Sequence, residues 1–202
     1  ERLQERGVRF VFNESVNRID AGTPTIVATP APTAARLIEP HAPAFARAVA
    51  AVRMSPLVSV TQFFEPQPAD LHGFGMLFPS ESGVHALGVL FNADIFEGRG
   101  PSRAERWIVG DRDSAITAWD DQRLLAALAT DRRVVTGRDQ APVATHITRW
   151  PQAIPVYDKA IVEVSELQST LPPWLGVAGN FLGRIGVAAL LDQAGTAANG
   201  VR

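Results

Sequence analysis

The residues with the clearest capacity for chemistry lie near the C-terminus. There the apolar run Leu175 to Ala178 leads through Gly179-Asn180 into a helix whose start carries Ile185-Gly186-Val187. Unpaired backbone N–H groups project from such a helix end, and its dipole places about half a positive charge there. The unit can therefore face an anion or an electron-rich acceptor. Gly186, lacking a side chain, would let a flat ring approach the backbone. A tight strand-to-helix corner accounts for the same residues equally well. Other chemistry is thinly supported. His41, His72, His85 and His146 show no i, i+4 spacing, and the chain has no cysteine. Thiolate nucleophiles, disulfides and thiolate metal sites are excluded, and no metal is expected. Lys159 is the only lysine and reads as a surface charge. No Gly-x-Ser-x-Gly elbow and no Gly-x-x-x-x-Gly-Lys loop occurs. The pairs Asp111/Asp113 and Asp120/Asp121 read as a turn and a helix cap.

The elements that must position these residues follow from periodicity. Glu1 to Arg6 reads as helix, stopped by Gly7. Val8 to Phe12 and Val16 to Asp20 alternate as a strand pair around Asn13-Glu14-Ser15, and Thr25 to Thr29 is a short strand ending at Pro30. Pro32 to Ile38 and Pro43 to Val52 have helical spacing. β-like runs follow at Pro56 to Phe64, Gly75 to Phe78, Val84 to Phe91 and Arg103 to Val109, predicting an antiparallel meander. Asp120 or Asp121 caps a helix through Arg132, with Leu124, Leu125, Leu128 and Ala129 on one face, and Gly137 ends the unit. Val143 to Trp150 alternates as a strand, and Pro151 and Pro155 predict an irregular loop. Asp158 to Leu171 reads as helix, Leu175 to Ala178 as strand, and a last helix runs from about Gly186 to Ala198.

Composition sets the outer limits. The chain has 202 residues, 46% hydrophobic and 20% charged, the usage of a soluble globular chain. Nineteen basic residues against twenty-one acidic leave a net charge of -2, with no excess to neutralise phosphates, so nucleic acid is not expected as a partner. No apolar run approaches the ~20 residues of a membrane helix, and the first residues are charged, unlike a signal peptide. The opening at Glu1, inside a helix, suggests a piece of a longer protein.

Several segments, in order, carry a resemblance: Gly7-Val8-Arg9-Phe10 to Ile19, Ala28-Thr29-Pro30, Gly73-Phe74-Gly75-x-Leu77-x-Pro79, Leu87-Gly88-Val89-Leu90-Phe91, Arg149-Trp150-Pro151-x-Ala153-Ile154-Pro155-x-Tyr157, and Ala178-Gly179-Asn180. Together they resemble the C-terminal portion of FAD-dependent oxidases of the flavin amine oxidase superfamily, most closely those acting on protoporphyrinogen or coproporphyrinogen in haem synthesis. The likeness implies an α+β fold in which an antiparallel or mixed sheet with flanking helices forms a substrate domain. Strands and a C-terminal helix then belong to an incomplete FAD-binding, Rossmann-like domain. The implied division is residues 1–40 and 146–202 in the FAD-binding domain, with 41–145 in the substrate domain.

Position by position, the resemblance places Val16 at the adenine of FAD and Ile185, Gly186 and Val187 at the flavin's pyrimidine edge. A helix start aimed there would stabilise the negative charge of the reduced ring. Trp150 corresponds to an aromatic beside the flavin, with a buried packing role as the alternative. Phe63, Phe74, Leu77, Phe91 and Tyr157 become candidates for an apolar pocket wall, though most such aromatics pack in a core. Arg149 becomes a candidate partner for a substrate carboxylate, with a solvated surface arginine as the commoner role. No catalytic acid or base is identified. The implied partner is a small, apolar, porphyrinogen-like molecule, and the implied location is cytoplasmic, with peripheral membrane contact open for the longer protein.

Departures from the pattern are definite. The Gly-x-Gly-x-x-Gly turn and the acidic residue about 20 positions beyond it are absent. Arg184 stands where glycine is usual, and Ala188-Ala189 replace a Pro-Asp pair. The 202 residues are therefore not expected to hold a stable yellow cofactor. A carotenoid or hydroxysqualene-type desaturase and a non-catalytic domain for apolar ligands are the rival readings.

Overall fold

The computed structural model describes residues 2–68, 70–110 and 114–202, so the pair Asp111/Asp113 lies outside the described residues. The chain forms two compact units, residues 1–53 with 157–202 and residues 54–156. The division thus falls later than 40/41 and 145/146 at both ends. The reason is packing. Helix α3 (Pro43–Ala51) lies against α2 (Ala31–Ile38) and α6 (Lys159–Leu167), and strand β6 (Ala144–Pro155) pairs with β2 (Met54–Phe64).

In the first unit, a short helix α1 (Arg2–Glu5) precedes an irregular segment, and the expected strand pair does not form. Residues 8–18 are exposed throughout, Val16 being 57% accessible. A strand needs a ladder partner for its N–H and C=O groups, and none lies against this segment among the described residues. Its extended character survives in Phe10 and Phe12, whose rings stack at 6.0 Å as i, i+2 neighbours do on one face. Asn13 takes the left-handed φ of 59°, marking the turn that its residue type favours.

Strands β1 (Thr25–Val27) and β7 (Leu175–Val177) pair in parallel. Two strands are marginal alone, so the helices must supply the stability. Phe45, Ile38, Val49, Val164 and Phe181 are buried in this unit, each contributing roughly 1.5–3 kcal/mol at the usual value for apolar burial. Asp158 caps α6 by accepting from the Ala160 amide at 3.0 Å, and it pairs with Arg53. The helix is shorter than expected, ending at Leu167 and followed by a 3-10 turn over Gln168–Thr170. The last helix, α7 (Val187–Gly200), has no buried residue.

The second unit is a five-stranded antiparallel sheet in the order β3-β4-β5-β2-β6, with β3 Gly75–Leu77, β4 Gly88–Phe91 and β5 Arg103–Gly110. The expected meander is present in β3-β4-β5. Two expectations need correction. The run from Val84 is strand only from Gly88, because the Asp131 carboxylate takes the backbone N–H groups of His85 and Ala86 at 3.0 and 2.9 Å. Pro151 sits inside β6, not in a loop. Edge strands tolerate proline, and the register shift between Ser55 and Leu57 absorbs it.

Helix α5 (Asp121–Thr136) covers one face of the sheet, capped by Asp120, which accepts from the Arg123 amide at 2.8 Å. Leu124 and Leu128 are buried there against Val58, Val60, Val89, Phe91, Trp107 and Val109. Ala129 is exposed, and the buried stripe continues instead through Asp131 and Arg132. A short helix, α4 (Asn92–Ile95), follows β4 directly.

Charge is buried within this core. Glu105 accepts from Arg132 Nε at 3.0 Å and Nη2 at 3.2 Å and from Trp107 Nε1 at 3.3 Å, and the Arg132 guanidinium lies 3.6 Å from the Phe64 ring centre. Removing one partner strands the other charge. Arg132→Met is therefore expected to lower stability by about 3–5 kcal/mol in urea unfolding, with Glu105→Leu/Arg132→Met recovering most of the loss. Equal losses in single and double variants would contradict this.

Candidate functional site

In the first unit, β7 runs into Gly179 and a 3-10 turn over Asn180–Leu182, and Gly186 then opens α7. Fully buried Phe181 anchors the turn, and the Gly179 amide donates to Gln193 Oε1 of α7 at 3.4 Å. Gly186 has φ 99°, a value that a side chain would strain, and nothing lies within 4 Å of where its Cβ would stand. Gly186, at the N-cap of α7, has no side chain to cap it, and no cap hydrogen bond is made among the described residues. Ile185 and Val187 are 48% and 76% accessible, so the helix start is an open surface and not a packed corner. An uncapped start of a 14-residue helix, with open space over its glycine, fits the approach of a planar electron acceptor.

Val16 lies on a segment tied to the helices. Arg36 donates to the Asn17 carbonyl at 3.2 Å, and His41 Nε2 lies 3.2 Å from the Ile19 carbonyl while its ring meets Trp174 edge-on. Tyr157 is also in this unit and exposed. A mainly polar cleft of about 290 Å³ is lined by Ser165, Gln168, Leu182, Arg184, Asp192, Gln193 and Thr196. Its lining does not suit an apolar substrate.

In the sheet unit the remaining candidates separate by face. Trp150, Phe74 and Leu77 are 54%, 72% and 88% accessible. Phe63 is half-buried on the face away from α5. Phe91 is buried in the α5-covered core, with the Arg103 guanidinium 4.9 Å from its ring, so it packs. Arg149 is held on the α5 side, where it donates to the Thr117 carbonyl at 3.0 Å and to Asp121 Oδ1.

The structure adds a residue that periodicity did not single out. Asp94 accepts from His72 Nδ1 at 3.1 Å, from the Gly73 amide at 2.9 Å and from Arg103, which also donates to the Leu71 carbonyl. These bonds fasten the loop that carries Phe74. Burial acts to raise the Asp94 pKa, but the Gly73, Arg103 and His72 donors outweigh it and hold the carboxyl below its ordinary 3.8.

No protein-family model matches the chain. Among solved structures, a protein assigned as a protoporphyrinogen oxidase from Exiguobacterium sp. 255-15 superposes with a TM-score of 0.69 at 19% identity, over 86% of this chain and 39% of that one. A putrescine oxidase variant redesigned in its cofactor binding gives 0.62 at 14% identity, over 86% and 41%. The fold is that of flavin amine oxidase-type proteins, and it is α+β.

In sequence the chain is similar to proteins named porphyrinogen oxidases. Coproporphyrinogen III oxidase of Mycobacterium tuberculosis is 34% identical over 179 residues, 87% of this chain and 39% of the relative. That of Propionibacterium freudenreichii is 28% identical over 218 residues, 96% and 40%. The chloroplastic protoporphyrinogen oxidase of Oryza sativa is 25% identical over 166 residues, 75% and 31%. The chain thus spans about two-fifths of the length of the bacterial relatives. Among the described residues, no helix is long and apolar enough to cross a membrane.

A carboxyl whose pKa is depressed on folding adds stability above its unfolded value, and that stability is lost as pH falls through the folded value. The Asp94 fastening is therefore expected to hold from neutral pH down to about pH 4 and to open below it. Hydrogen exchange at the Gly73 amide should accelerate over that acid range beyond the intrinsic rate change, and Asp94→Asn should abolish the transition. A Gly73 amide with no such acid-linked step refutes the assignment.

Proposed function

We propose that this chain is the substrate-binding region and the C-terminal flavin-facing segment of an FAD-dependent porphyrinogen oxidase. The observation that carries the reading is the open, uncapped start of α7 at Ile185-Gly186-Val187, in a chain 34% identical to a coproporphyrinogen III oxidase. In this reading the α7 amides face the flavin's pyrimidine edge and Val16 meets the adenine. When bound, the flavin supplies a two-electron acceptor, which oxygen or another oxidant then regenerates. The residues of this chain bind, orient and exclude water. The sheet unit takes the substrate, and the exposed Phe74 and Leu77 offer it apolar contact.

The proposal has a direct test in the gene. Extending the reading frame upstream should reveal a strand-turn-helix with Gly-x-Gly-x-x-Gly. The protein encoded by the whole frame should convert coproporphyrinogen or protoporphyrinogen into fluorescent porphyrin and leave polyenes untouched. Desaturation of a polyene would transfer the assignment to a desaturase. Absence of the glycine motif would remove the flavin from the proposal.

The 202 residues without a phosphate-binding turn are expected to lose FAD on gel filtration. Stoichiometric yellow cofactor in the protein peak would show that the missing motif is not needed for retention.

A further inference from the structure

The buried core of the sheet unit lies on the α5 side of its sheet. Alternation along the strands sends Val58, Val60 and Phe64 of β2 under α5 and turns Leu57, Ser59, Thr61 and Phe63 to the other side. Pairing then aligns one row across four strands, Leu90 of β4, Arg106 of β5, Thr61 of β2 and His146 of β6. Arg106 and His146 are both exposed. With neighbouring strands about 4.8 Å apart, their Cα atoms stand roughly 10 Å from each other across Thr61.

Arg106 Nε donates to Thr61 Oγ1 at 3.2 Å, which fixes the plane of the guanidinium. The N–H groups on its two terminal nitrogens have no partner among the described residues. An oriented guanidinium with its outer edge free is the geometry that receives a carboxylate in two-toothed fashion. Arg149 cannot serve this face, because Asp121 and the Thr117 carbonyl hold it on the α5 side.

Arg106 stands between Thr61 on one side and Leu90 on the other. Ile108 follows it on the same face of β5, and Trp150 lies at the far end, paired with Leu57. Glycines keep the surface shallow. A Cβ on Gly110 would stand 2.9 Å from Leu57 Cδ2, and one on Gly88 would stand 3.0 Å from Leu77 Cδ2. Both leucines therefore lie down over glycine backbone, leaving a shallow floor of Leu57, Leu77, Leu90 and Ile108 interspersed with Ser59, Thr61 and Thr148, with Arg106 at its centre.

We propose that Arg106, oriented by Thr61 and flanked by His146, determines specificity on this face by binding a carboxylate of a flat, apolar ligand with acidic side arms. The proposal rests on the porphyrinogen reading above and assigns it a recognition group. A polyene lacks carboxylates and would leave Arg106 without a partner.

The test is fluorescence titration of the 202-residue chain with coproporphyrin III, a carboxylate-bearing porphyrin, and with its methyl ester. Arg106→Gln should weaken coproporphyrin binding roughly tenfold and flatten its salt dependence. The ester should bind the variant and the parent alike. Arg149→Gln should change coproporphyrin affinity by less than about twofold, as a surface change does. Unchanged thermal transitions exclude misfolding. If coproporphyrin binds but Arg106→Gln matches the parent, or if acid and ester weaken equally, the Arg106 assignment is overturned and the substrate class stands. If neither porphyrin binds the parent chain, both are overturned.

Discussion

Glu105 is buried to 1% accessibility, and a carboxylate taken out of water persists only where cations and donors replace its hydration. Arg132 supplies two hydrogen bonds from α5, Trp107 supplies one from Glu105's own strand, and Arg103 stands 4.0 Å away. That requirement ties one register of α5 to one face of β2 and β5. A slip along the helix would leave the carboxylate unpaired, a larger penalty than a mismatched leucine. Once α5 is seated, every alternate residue of five strands is committed to the other side. The same buried ion pair that organises the core therefore leaves Arg106, Thr61 and His146 on an open floor.

The first unit is held by different means. Its two parallel strands would be marginal alone, and the alanine-rich surfaces of α2 and α3 let these helices close around Phe45 and Ile38. Against that packed body, the segment before β1 and the helix α7 keep their apolar side chains exposed. Exposed apolar surface on this scale commonly marks a site of interaction. The proposed function assigns it the flavin and its surrounding domain.

Much of this was legible along the chain. The residues around α5 signalled their structure locally, through an aspartate cap and an apolar stripe at Leu124 and Leu128. The helix start at Gly186 was likewise visible as glycine after an apolar run. Other features required distant partners. The strand pattern of Val8 to Asp20 is as strong as that of β2, yet it stays irregular because alternation reports a capacity to pair and not the presence of a partner. Pro151 reads as a breaker, but on an edge strand its missing N–H costs no ladder bond.

For the candidate site the boundary lies in the same place. Residue types and order were enough to show the likeness to flavin amine oxidase-type proteins and to nominate Ile185-Gly186-Val187 as candidates, because those features are carried by neighbours in the chain. The role of each arginine was a matter of faces. Arg149 and Arg106 look alike in sequence, each set among apolar strand residues. Strand pairing, and the helix that covers one side of the sheet, bound the first to Asp121 and left the edge of the second free, since the face that a strand residue occupies depends on residues far away in the chain.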